Sequence, residues 1–157
     1  MNIQYLTKLK DNPIEYSEDT DFRFPIKGIS EAEITQLEKT WNNGNPFPKV
    51  LKELLYLAGE DCYVFDYGIP ENQNEMQEWV REQMTEMNKT ITRPFYAIDL
   101  YGGDQFLFIY LDEGDNPDIY QASAYESNSI WFRNINHTIK SLSERRIDRV
   151  KEGYNPF

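Results

Sequence analysis

The chain has 157 residues, 39% hydrophobic and 15% aromatic, with 11 Tyr and 9 Phe. That is enough for one domain with a real core and too aromatic for a disordered chain. The net charge is −11 and unevenly spread, with −1 over residues 1–52, −12 over 53–118 and +2 over 119–157.

Such a middle segment repels phosphates, which excludes nucleic acid as the natural partner, and attracts a basic protein by its field. Acidity as a mere aid to solubility is the plain alternative. The only cysteine, Cys62, excludes an internal disulfide and a thiolate-built zinc site. No basic segment followed by an apolar leader opens the sequence, and no apolar run reaches the roughly 20 residues of a membrane span. The expectation is a soluble cytoplasmic protein, not bound to membrane.

Residues 1–27 read as a polar, irregular arm with a short strand near Phe22 and Phe24. Ser30 followed by Glu33 fits a capping box, Ile29 and Ile34 fit a hydrophobic staple, and Ile34, Leu37 and Trp41 share one helical face. Asn42-Asn43-Gly44 ends that helix. Pro48 suits a first helical turn, and Val50, Leu51, Leu54, Leu55 and Ala58 then repeat at threes and fours, with Gly59 as the C′ stop. Residues 62–68, CYVFDYG, alternate like a short strand.

Residues 71–89 predict an amphipathic helix with Met76, Trp79, Val80, Gln83 and Met87 inward. Its outer face carries Glu71, Glu75, Glu78, Glu82 and Glu86. Strands are predicted at 95–100, 106–111 and 119–122, with a Gly102-Gly103 hairpin turn after the first and a short edge strand at 129–132. From Asn134 the spacing of Ile135, Ile139, Leu142, Ile147 and Val150 predicts a closing helix. Its basic end, Arg145, Arg146, Arg149 and Lys151, suits the helix dipole. Sequential strands with short turns and helices at both ends predict an α+β fold around a central antiparallel sheet, as one domain over 1–157. The core then spans about 24–147, with an arm at 1–23 and a tail at 151–157.

The search for chemistry returns little. His137, the one histidine, has no acid beside it in sequence and reads as a surface or capping residue. The LDEGDNPD stretch has acids but not the spacing or length of a calcium loop, and its composition is that of a turn. Gly102-Gly103 is followed by neither Lys-Ser/Thr nor a helix, so it is no phosphate loop. No two carboxylates are marked out as a glycosidase pair, and Cys62 reads as a small apolar filler. No metal or cofactor is expected. Tyr101, Tyr110 and Tyr120 are candidates for exposed aromatic contacts, a role Tyr fills well at interfaces.

The order of these pieces resembles the SUKH superfamily, the domains related to the fungal Smi/Knr cell-wall regulators. The resemblance rests on Ile34, Leu37 and Glu38, then Phe47, Pro48, Leu51, Leu54 and Leu55, then Gly59. It continues through Gly103, Asp104, Asp112 and Pro117 to the closing helix, over about residues 24–147. The helix at 71–89 is longer than the family minimum. Most bacterial members are immunity proteins that bind and silence a cognate toxin, often a nuclease, in polymorphic or contact-dependent systems. The family has no shared catalytic residues.

The resemblance thus implies an immunity protein, a monomer or weak dimer, whose partner is a basic protein toxin. Charge density, which the family does not supply, places the contact on Asp66, Glu71, Glu75 and Glu78 with Asp104, Asp112, Glu113, Asp115 and Asp118. Tyr101 and Tyr110 would be its aromatic anchors. Two other readings stand beside it. One is an intracellular scaffold or adaptor of the Smi/Knr type with no toxin partner, and the other is an enzyme using carboxylates or a bound metal.

Overall fold

The computed structural model describes residues 1–14, 25–101, 105–127 and 129–157. Among them are five helices and four strands: α1 Thr7–Asp11, α2 Glu31–Trp41, α3 Lys49–Ala58, α4 Gln73–Glu86, β1 Phe95–Tyr101, β2 Gln105–Tyr110, β3 Asp118–Ser123, β4 Phe132–Thr138 and α5 Ile139–Lys151. The strands form one antiparallel sheet in the order β1-β2-β3-β4. This is the predicted α+β meander.

Both faces of the sheet are covered, because its strands alternate between two apolar clusters. Tyr96, Ile98, Leu107, Ile109 and Ile119 join Leu6, Leu9, Ile34, the apolar face of α3, and Ile139, Leu142 and Ile147 of α5. Phe95, Ala97, Phe106, Phe108 and Tyr110 join Met76, Val80 and Met84 of α4. Helix α4 therefore covers one face alone, and the other helices share the opposite one.

A bulge in β1 breaks the alternation. Ala97 pairs with Phe108 and Asp99 with Leu107, which leaves Ile98 as an extra residue. Bulges re-aim side chains. Here Leu100 is turned toward the α4 cluster, while Asp99 and Tyr101 fall on the side of α5.

Several expectations are met. Ser30 and Glu33 close their capping box at α2, and α3 and the strands at 95, 105 and 118 fall where the patterns put them. Others are corrected. Pro48 is the N-cap of α3 and not a residue of its first turn. Gly59 does stop α3, though as its C-cap at φ −73° and not one position beyond. It is small because a Cβ there would lie 2.5 Å from the Leu55 carbonyl oxygen. Residues 62–68 form bends and no strand, since their backbone bonds with side chains and with β1 from outside the ladder.

The edge strand is at Phe132–Thr138 and not at 129–132, so the closing helix starts at Ile139 rather than Asn134. Ile135 does face the same core as α5, but from the strand. Asn136, at φ +57°, bulges the strand, and Thr138 with Ser141 then caps the helix. Residues 1–14 are no loose arm. Leu6 and Leu9 are core residues, and Glu53 of α3, 2% exposed, accepts the backbone N–H of Gln4, Tyr5 and Leu6 at 2.8–2.9 Å. The expected strand near Phe22 and Phe24, the Gly102-Gly103 turn and Asp104 lie outside the described residues.

Candidate functional site

The acidic residues singled out by charge fall into two groups that differ in what holds them. The first is the loop after β2. Arg93 takes Asp112 through Nη2 at 2.5 Å and Glu113 through Nη1 at 3.0 Å, with its guanidinium 3.9 Å above the Tyr110 ring. A hydrogen bond from Arg93 holds the Asp112 carboxyl below the usual range. Lys49 pairs with Asp115 at 2.9 Å, and Asn134 Nδ2 donates to Asp118 at 2.9 Å. These four acids have local partners, and their negative field is correspondingly reduced.

The second group is the 59–72 loop and helix α4. Asp66, Glu71, Glu75, Glu78, Glu82 and Glu86 are all exposed, and among the described residues none makes an ion pair. The uncharged bonds they make are local. Glu75 accepts the Glu71 N–H and the Asn72 side chain, Glu78 accepts the Asn74 side chain, and Asp66 accepts the Gly68 N–H. On α4, Glu75, Glu78, Glu82 and Glu86 form one stripe about 16 Å long at the rise of a helix. Like charges at this spacing disfavour a helix. The helix is held instead by its packing and by an Asn72 cap on the Glu75 N–H.

Beside the stripe, the 59–72 loop borders a cleft of about 570 Å³ lined by Glu60, Asp61, Asp66 and Glu71, with Tyr63, Tyr67 and the Phe157 ring. Within the loop, Ile69 is 98% exposed. Cys62 also lines this cleft, and burial pushes its thiol up to about 12, which keeps it an unreactive thiol.

The loop is fixed from below by a buried charged network. Asp99, 0% exposed, accepts the Asp66 N–H at 2.8 Å, the Tyr101 hydroxyl at 2.9 Å and Arg146 Nη1 at 2.5 Å. Arg146, 5% exposed, also donates to the Val64 carbonyl at 2.6 Å and to the Tyr101 hydroxyl. Burial raises the Asp99 carboxyl to about 6, against the opposing pull of Arg146. The network ties β1, the loop and α5 together with every polar group satisfied, the condition under which a buried pair is tolerated.

The aromatic candidates sit differently from their expected exposure. Tyr110 is buried beneath Arg93. Tyr101 is half-buried in the Asp99 network with its ring edge-on to Phe157. Tyr120 is half-buried against Phe108 and Tyr110. His137 lies in β4 and not in a helix, 3.2 Å from Ser141 Oγ and 3.3 Å from Arg145. Among the described residues no cluster of three or more His, Cys, Asp or Glu is placed to hold a metal ion, and no helix is long and apolar enough to cross a membrane.

Asp99, Gln77 and Ile69 were not singled out from the sequence, and Arg146 was read only as part of a basic helix end although it is buried. The traces were there: an acid inside the apolar run FYAIDLY, an Arg on the inward stripe of Leu142 and Val150, and an isoleucine between Gly68 and Pro70. Compared with known proteins, the chain matches no family model, and no curated protein or solved structure is significantly similar to it.

Proposed function

We propose that the chain is a SUKH-like immunity protein. It binds a cognate basic toxin of the nuclease kind in the cytoplasm, one to one and without turnover, and silences it by covering its cationic surface. The observation that carries this reading is the division of the acids. Those of the β2–β3 loop are held by Arg93 and Lys49 and Glu60 by Lys27, whereas Asp66, Glu71 and the glutamates along α4 make no ion pair among the described residues. A stripe of unneutralised carboxylates on a folded helix presents charge as a phosphate backbone does, and such a field speeds encounter with a cationic partner. The resemblance of the α2 and α3 segments to the SUKH opening supports the same reading.

The test is co-expression with the protein encoded beside it. The neighbour alone should arrest growth, and the pair should restore growth and elute as one complex. A harmless neighbour that elutes separately would overturn the reading and favour an adaptor.

A further inference from the structure

Ile69 is more exposed than any other large apolar side chain among the described residues. A single surface isoleucine is ordinary. This one differs from the rest in how its backbone is held and in what surrounds it.

On its N-terminal side, Asp66 is tied twice to β1: its N–H donates to Asp99 Oδ1, and its carbonyl accepts the Leu100 N–H at 2.7 Å. The Tyr67 hydroxyl donates to the Ala58 carbonyl at 2.7 Å, and Gly68 takes φ +71° under an N–H bond to Asp66 Oδ1. A Cβ on Gly68 would stand 3.0 Å from Leu100 Cδ1, a tight contact added to the strain that the positive φ imposes on any other residue. On the C-terminal side Pro70 fixes its own φ, and the Glu71 N–H is held by Glu75 at 3.0 Å. The side chain therefore projects from a backbone already braced in one conformation. Presenting an apolar group in this way saves ordering entropy on binding. The nearest charges along the chain, Asp66 and Glu71, are both negative and have no cation among the described residues. Ile130, 78% exposed, makes a contrast, because the groove it borders carries both Glu126 and Arg133.

We propose that Ile69 is the apolar anchor of the partner surface, entering a shallow apolar pocket on a basic protein whose lysine or arginine rim meets Asp66 and Glu71. The commitment to a basic occupant follows from charge complementarity, and it rests on the reading of the chain as an inhibitor. An apolar centre inside a charged rim is the common anatomy of tight interfaces.

The test uses the intact complex with the neighbouring gene product. Ile69→Ala should weaken binding at least tenfold, mainly through faster dissociation, with the melting temperature unchanged. Glu71→Lys should slow association and flatten its salt dependence, and Ile130→Ala should stay within twofold. An Ile69→Ala affinity within twofold of the parent overturns the anchor and leaves the immunity reading intact. If no complex forms, the immunity reading fails, and the anchor is tested by itself with p-benzoylphenylalanine placed at position 69 or 130 in host cells. A crosslink from 69 to one basic protein, lost on Glu71→Lys and absent from 130, upholds it. No crosslink from 69, or one indifferent to Glu71→Lys, overturns it.

Discussion

Gln77 closes the outer edge of β1 by giving both ends of its amide to Ala97. Its Oε1 accepts the Ala97 N–H and its Nε2 donates to the Ala97 carbonyl, each at 2.9 Å. Arg81, one turn on, donates to the Phe95 carbonyl at 3.0 Å, with its guanidinium 4.2 Å from both the Trp41 and Phe95 rings. Two side chains of α4 thus supply what a fifth strand would. Gln77→Leu should leave a buried N–H and a buried carbonyl unpaired and cost about 2–4 kcal/mol. Urea unfolding should show that loss, and light scattering should show self-association through the freed edge.

Asp99→Ala leaves the Arg146 guanidinium buried without its counter-charge, which should destabilise the fold by about 3–5 kcal/mol. Pairing it with Arg146→Met should recover part of that loss in a double-mutant cycle. A strictly additive cycle would show that the two do not act as a pair.

The same carboxylate predicts a pH dependence. Its value is raised to about 6 in the fold, from an ordinary 3.8. Between those values the folded state holds more protons than the unfolded state, so the Asp99 contribution to stability falls as pH rises from about 4 to 6 and is level outside that window. Asp112, held low by Arg93, works in the opposite sense at lower pH. Subtracting Asp99→Asn from the parent in urea titrations isolates the Asp99 slope. A difference that rises with pH would contradict the burial argument.

Gly28 packs directly on the end of α3. A Cβ there would stand 1.7 Å from the Tyr56 carbonyl oxygen, so backbone would have to move. Gly28→Ala should cost about 1–3 kcal/mol, readable as a lower denaturation midpoint at constant m-value.

The two acidic groups should separate by assay. Reversing Glu78 and Glu82 to Lys, neither of which holds a backbone N–H among the described residues, should leave stability nearly unchanged and slow association with a basic partner severalfold, the more so at low salt. Reversing Asp112 and Asp115 removes the partners of Arg93 and Lys49, and should lower the melting temperature while moving the association rate less.

The fold was legible where a pattern repeats. The capping box, the α3 stripe and the paired strand runs each carry several concordant residues, so single exceptions do not hide them. What escaped turns on single residues with distant partners. The bulge at Ile98 is a one-residue change of parity, and it decides that Asp99 meets Arg146, 47 positions away. Gln73 and Gln77 are polar in composition yet buried, because Gln73 donates to the distant Gly59 carbonyl and Gln77 bonds the Ala97 backbone of β1. Residues 134–138 kept a helical apolar spacing inside a strand, since Asn136 bulges and shifts Ile135 onto the core of α5. For the candidate surface, composition located the acids but said nothing of which were neutralised. That depended on Arg93 and Lys49, each about 20 or more positions from the acid it holds.

The Glu53 carboxylate reaches back to the amides of residues 4–6, and Lys8 bonds Asp148 at 2.6 Å, 140 positions away. The segment before α2 thus closes one loop of 47 positions onto α3 and another of 140 onto α5, and the entropy of both closures is lost before their bonds can repay it. Leu6 and Leu9 leave water only when those loops close, so the amides around them should gain hydrogen-exchange protection later than the sheet does.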